Sequence, residues 1–275
     1  VGEGETLTEF QLLEGLLLPS GDNLAVLLAD WVAGSEPEFT TRMNRLAATL
    51  HLDATHFADS SGLNPASVSS ARDLVTLTAS AMANPVFRAI VALPEVSLPL
   101  AGTVRNYNPV LGQQGVSGVK TGWTAAALGC LVFSADATVS GHPVALVGAV
   151  LGQPGGPMSG LVAAGRSALA LLRAGLSQLR AVSLPLPGQA VARIKAAWAP
   201  AISVKPARRL SLVARAGSRL RLRLATRRLS APFRRGARVG TLSLTTPGGF
   251  VSRLPLVTAG RLRPPSWQWR LTRPW

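Results

Sequence analysis

Little in these 275 residues offers a covalent or metal cross-link. A single cysteine, Cys130, excludes an intramolecular disulfide framework and any multi-cysteine zinc site. The histidines His51, His56 and His142 are spaced wrongly for a metal motif. Charged residues make up only 15% of the chain and mean hydropathy is +0.28, which excludes an intrinsically disordered polypeptide. No uninterrupted apolar run reaches the roughly 18 residues of a membrane-crossing helix. The first ten residues carry Glu3, Glu5 and Glu9 and neither a basic nor an apolar leader, so they do not read as a signal peptide. Val1 in place of Met suggests that the natural start is lost. The length suits one large domain or a domain with a small appendage.

Acid is missing from one part of the chain. Residues 1–165 hold six Lys/Arg against 13 Asp/Glu, whereas residues 166–275 hold 22 Lys/Arg and no acid. That step predicts two units, the second suited to polyanions: nucleic acid, anionic lipid or an acidic envelope polymer. The plainer alternative is an arginine-rich, solvated β face.

Local signals agree with the division. Thr8 and Gln11 form a capping box opening a helix with Phe10, Leu13 and Leu17 on one stripe. A second helix is expected from about Asp22 to Val32, stopped by Gly34. Ser35 and Glu38 form another box, with Phe39, Met43 and Leu50 sharing a face, and Ser70 with Asp73 opens a helix carrying Leu74, Leu77 and Ala81. Short apolar runs at Val116–Lys120, Leu131–Ala135 and Val144–Leu151 read as strands, and Ser159–Leu176 as a closing helix. Helices followed by hairpins predict an α+β domain over about 1–178. Ser183 to Gly188 reads as a linker, and residues 183–260 as a small all-β domain. There Arg219–Leu224 alternates strictly, predicting a strand with one buried and one cationic face, and Pro247-Gly248-Gly249 predicts a turn. The segment 261–275 is a basic, aromatic tail. Its prolines exclude a long amphipathic helix, leaving a membrane-surface segment or a disordered end.

Two motifs carry chemistry. Lys120-Thr121-Gly122 ends a predicted strand, where Gly122 permits close approach of a substrate backbone. Ser20-Gly21-Asp22-Asn23 occupies a helix–helix junction, where Ser20 and Asp22 would also serve as helix caps. In this order they match two of the three elements of penicillin-binding serine enzymes. With Leu12–Ala25, Met43-Asn44, Thr55-His56-Phe57, Ser61-Gly62-Leu63, Ser69–Leu74 and Gly118–Thr124, residues from about Leu7 to Gln153 resemble the D-alanyl-D-alanine carboxypeptidases, the low-molecular-weight penicillin-binding proteins. The resemblance implies a penicillin-binding/β-lactamase-like fold of helices on an antiparallel sheet, followed by a β-rich domain. It also implies a cofactor-free, metal-free serine hydrolase outside the cytoplasmic membrane, in the bacterial cell envelope. Such an enzyme trims peptidoglycan stem peptides through an acyl-enzyme and binds β-lactams.

By that resemblance Ser20 relays protons, Lys120 and Thr121 hold the substrate carboxylate, and the Trp123 N–H stabilises the oxyanion. Asp22, Asn23 and Gly122 complete the substrate site. The family nucleophile is a helical Ser-x-x-Lys serine, and the one such sequence, Ser117–Lys120, lies in strand text and overlaps the second motif. The expectation is therefore a chain truncated at its N-terminus, lacking its nucleophile helix and inactive alone. Asp22 in the usual Asn position accepts but does not donate hydrogen bonds when ionised. Two alternatives stand beside this reading: a non-catalytic cationic envelope-binding module on a vestigial enzyme fold, and a β-lactamase, which the β-rich segment disfavours. A nucleic-acid partner is not expected, for want of aromatics and any nucleic-acid motif.

Overall fold

The computed structural model describes residues 2, 4–184, 189–227, 231–246 and 251–272. It divides into two compact units, one of residues 1–138 and 143–177, the other of residues 139–142 and 178–275.

The first unit opens with α1 (Glu9–Leu17), α2 (Asp22–Ala33) and α3 (Glu36–Thr49). The reciprocal Thr8–Gln11 capping box forms as expected, and Gly34 ends α2 in the left-handed region at φ 82°. Ser35 accepts from the Glu38 N–H without the return bond of a full box, because Glu38 instead faces Arg42 one turn on. The stripe assigned to α1 is displaced. Phe10 is exposed, and Leu12 packs with Leu24 and Leu28 of α2.

α4 (Ala71–Ala81) is capped by Ser70, and the short α5 (Pro85–Val91) by Asn84, whose side chain takes the Val86 and Phe87 N–H groups. A hairpin of β1 (Glu95–Leu98) and β2 (Gly102–Arg105) follows. The sheet then forms from β3 (Val116–Thr124), β4 (Leu128–Val139) and β5 (His142–Gln153), in the order β3-β4-β5. These strands run several residues beyond the apolar runs that announce them. α6 (Pro157–Ser177) lays Leu161, Ala164, Ala168 and Leu172 into the core, the last three clustering with Leu131, Phe133 and Ala135 of β4. Each fully buried large apolar side chain is worth about 1.5–3 kcal/mol. A Cβ on Gly129 would lie 2.1 Å from the Gly160 carbonyl oxygen, so glycine there lets α6 close onto β4.

The second unit contains β6 (Leu179–Leu184), β7 (Ala192–Ala196), β8 (Ala199–Pro206), β9 (Leu210–Arg215), β10 (Arg221–Thr226), β11 (Arg238–Thr245) and β12 (Val251–Thr258). They form a five-stranded sheet in the order β10-β11-β12-β8-β7 and a two-stranded sheet of β6 and β9. Val204, Leu242, Leu254 and Leu256 form one core cluster, and Leu212 and Ala214 of β9 cluster with Leu244. The expected buried face of β10 is not buried: Leu222 and Leu224 are 55% and 42% exposed. The two-stranded layer reaches Leu244 on β11, but β10 is an edge strand. The segment read as a linker begins inside β6, while Pro185–Gly188 and the expected turn at Pro247–Gly249 lie outside the described residues. The tail is described to Thr272. Leu262 is buried and bridges to Phe233, Trp198 Nε1 donates to the Arg263 carbonyl, and α7 (Trp267–Leu271) sets Trp269 edge-on to Trp198 at 5.4 Å.

Candidate active site

The turn between α1 and α2 is set by a close backbone approach. The Gly21 N–H donates to the Gly15 carbonyl at 3.0 Å, and a Cβ on Gly21 would lie 2.7 Å from that same oxygen. Ser20 is thereby held at φ 62°, a left-handed conformation that costs a serine on the order of 1 kcal/mol or more. Gly21, not Ser20 or Asp22, is the residue preceding the helix, and no side chain caps α2. The capping role that serine and aspartate would ordinarily play is therefore not used. Among the described residues the Ser20 hydroxyl has no hydrogen-bond partner, and it faces a cavity.

That cavity, about 430 Å³, is lined by Ser20 and Asp22 from the turn and by Lys120 through Thr124 from the end of β3. The structure thus brings together six of the seven residues singled out in the sequence: Ser20, Asp22, Lys120, Thr121, Gly122 and Trp123. Asn23 is the correction. It is exposed and lines no part of the cavity, because one step along a helix turns a side chain by about 100°.

Lys120 is largely buried. Burial pushes its ammonium down to about 8, against the opposing pull of the Asp22 charge. Its Nζ donates to the Thr121 carbonyl at 2.8 Å. β3 is an edge strand, and a carbonyl free to accept from a side chain lies on the open edge. Alternation along the ladder then directs the Trp123 N–H to the same edge. The Trp123 indole is anchored separately, donating to the Gly155 carbonyl at 2.9 Å.

The third wall was not identified as part of the site from sequence. Ser61, Gly62 and Leu63 line the cavity on a loop fastened by carboxylates. Asp59 accepts from the Ser61 hydroxyl at 2.6 Å, from the Ser67 hydroxyl, and from the N–H groups of Gly62, Leu63 and Asn64. Burial raises the Asp59 pKa, but these bonds outweigh it and leave the carboxyl below its usual range. Glu36 accepts from the Ser60 hydroxyl and N–H, which lowers its pKa in the same way. Asn44 exchanges two bonds with the Phe57 backbone. Asp73 accepts from Thr55 and the Ala54 N–H, the Thr55 hydroxyl being the larger cause of its lowered pKa. Tyr107, half-exposed, also lines the cavity, on a segment tied to the turn by its N–H to the Leu18 carbonyl. No sequence signal marked it. Among the described residues no three His, Cys, Asp or Glu side chains converge on a metal-binding position.

The profile of the D-alanyl-D-alanine carboxypeptidase family matches residues 1–154. The chain is 40% identical over 134 residues to the D-alanyl-D-alanine carboxypeptidase DacB2 of Mycobacterium tuberculosis, covering 46% of each chain. It is 38% identical over 149 residues to the D-alanyl-D-alanine carboxypeptidase of Streptomyces sp. K15, covering 48% of this chain and 51% of the relative. The chain therefore spans about half the length of the curated relatives it matches. Among solved structures, the Streptomyces K15 DD-transpeptidase superposes with a TM-score of 0.55 at 33% identity, over 62% of this chain and 68% of that one. The carboxypeptidase DacD of Francisella tularensis shares the fold over 96% of this chain and 77% of its own, with a TM-score of 0.60 at 21% identity.

Proposed function

The chain belongs to the D-alanyl-D-alanine carboxypeptidase family, and from that premise we propose that its first unit forms the carboxylate-binding and proton-relay side of a serine D-Ala-D-Ala carboxypeptidase site. The observation that carries this reading is the convergence of Ser20 with Lys120-Thr121-Gly122 on one cavity. The substrate is a peptidoglycan stem peptide, and its terminal carboxylate is met by the Lys120 ammonium and the Thr121 hydroxyl. The Trp123 N–H on the open edge of β3 receives the oxyanion as a serine hydroxyl attacks the penultimate D-Ala carbonyl. The C–N bond then breaks, D-alanine leaves with a proton relayed through Ser20, and water hydrolyses the acyl-enzyme. A peptidoglycan substrate supports an extracytoplasmic, cell-envelope location. The excess positive charge of residues 166–275 supports an anionic partner there, either a polymer or a lipid surface.

The attacking serine has no helical counterpart in this sequence. Residues 1–19 contain neither serine nor lysine, and Ser117–Lys120 lies on β3, where three residues span about 10 Å and successive side chains alternate faces. A fluorescent penicillin is therefore expected to leave this chain unlabelled after denaturing electrophoresis. Joining an upstream segment that carries a helical Ser-x-x-Lys is expected to restore labelling and D-alanine release. Labelling of the unaltered chain, or release that survives loss of Lys120, would overturn the proposal.

A further inference from the structure

The strand register sorts the cations of the second unit. Arg223 pairs with Ser243 and Ser243 with Arg253, while Arg221 shares a row with Thr245 and Val251. Arg238 and Lys205 both pair with Val257, and Arg193 pairs with Ser203. Directly paired residues project from the same face, as do alternate residues along a strand. Arg193, Lys205, Arg221, Arg223, Arg238 and Arg253 therefore stand on one side of the five-stranded sheet, at least one from each strand, and all six are exposed. The opposite side holds the buried Val204, Leu242, Leu244, Leu254 and Leu256. No Asp or Glu follows Asp136, so no side chain of this unit neutralises the cationic face.

We propose that this face binds a linear phosphodiester polymer that carries no bases. The inference rests on the anionic-partner reading above and gives that partner a place and a chemistry. Alternate residues on a strand lie about 6.8 Å apart and neighbouring strands about 4.8 Å apart, so the guanidinium groups form a lattice that an extended polyanion can follow in several directions. Arginine forks suit phosphate oxygens, and Ser203, Thr241, Ser243 and Thr245 supply hydroxyls between them. Among the described residues the face carries no aromatic ring, so a single-stranded nucleic acid would find no base to stack on. Among the described residues Val251 is its one exposed large apolar side chain, too little to insert into a bilayer.

The test uses the full chain and a synthetic poly(glycerol phosphate), with affinity followed against salt. One variant replaces Arg193, Lys205, Arg221, Arg223, Arg238 and Arg253 by glutamine. A charge-matched control replaces Arg208, Arg209, Arg234, Arg235, Arg261 and Arg263. The face variant is expected to bind at least about tenfold more weakly and to flatten the log–log salt slope by about 4, at roughly 0.7 per lost contact. The control is expected to keep most of the affinity. Equal losses in the two variants would overturn the face while leaving an anionic partner standing, whereas no binding by the unaltered chain would overturn both. Tighter binding to an oligothymidylate or to phosphatidylglycerol vesicles than to the polymer would overturn the occupant. A third variant, with the five arginines changed to lysine, keeps the charge and is expected to bind. Its failure would overturn an account by charge alone.

Discussion

The two units fasten their irregular segments by different means. In the first, carboxylates gather donors: Asp59 collects backbone and hydroxyl groups from its own loop, and Glu36 and Asp73 reach loops from the ends of helices. The second unit has no carboxylate side chain to use in this way, and a buried hydroxyl takes that place. Thr258 Oγ1 donates to the Arg234 carbonyl and accepts from the Ala237 N–H. The comparison teaches that a net charge of +15 for the whole chain describes neither half. It also gives the halves opposite sensitivities, the first to acid and the second to salt and polyanions.

The largest expected effect lies in the first unit's cavity. In a chain supplied with a helical Ser-x-x-Lys, Lys120→Ala is expected to lower kcat/KM by about 10- to 10²-fold, the loss of a charge-assisted bond to the substrate carboxylate worth about 1.5–3 kcal/mol, measured as D-alanine release. Because the Lys120 pKa is lowered to about 8, the free site loses its ammonium as pH rises through that value. Binding of an acyl-D-Ala-D-Ala peptide should then take up protons near pH 8.5 and none near pH 6, as calorimetry in buffers of different ionisation heat would show. The same lowering means that the unfolded chain holds more protons between about 8 and 10.5, so this lysine makes stability rise with pH across that window.

Next in size is the loop hub. Asp59→Asn removes the charge that several donors share and is expected to cost about 1–3 kcal/mol, with faster amide exchange at Gly62 and Leu63. Lowered pKa values at Asp59, Glu36 and Asp73 contribute stability that is present above the unfolded-state values and lost as pH falls through the folded ones. Acid should therefore raise exchange in residues 51–73 while leaving β8, β11 and β12 protected. Equal responses would break the comparison drawn here. The smallest effect is expected at Glu14, which is buried in α1 with its pKa raised by that burial. Glu14→Gln should stabilise the chain slightly at pH 7 and not at pH 4, read from thermal midpoints.

What the sequence made legible was mostly local. The caps at Thr8, Ser35 and Ser70 follow from bonds between residues three apart, and each forms. The stretches that carried the family resemblance turn out to include the fastening residues Asn44, Thr55, Ser69 and Asp73, which explains their value as signals. α5 and the β1–β2 hairpin escaped because seven- and four-residue elements leave no periodicity to read. The exposure of Leu222 and Leu224 escaped for a different reason. Alternation tells which side chains share a face, but whether another layer covers that face is a tertiary fact. Tyr107 belongs to the same class, since its place at the cavity depends on one backbone bond to Leu18.

The crowding between Gly21 and Gly15 has a consequence for how this protein tolerates change. An added methyl group at Gly21 would touch no substrate and remove no side-chain contact, yet it would force the chain away from Gly15, stretch the Gly21 N–H bond to the Gly15 carbonyl and swing the neighbouring hydroxyl out of its aim. The most vulnerable point of the turn is thus an atom that is not there, and a loss of function arising at that position would look, by its chemistry, like the mildest of substitutions.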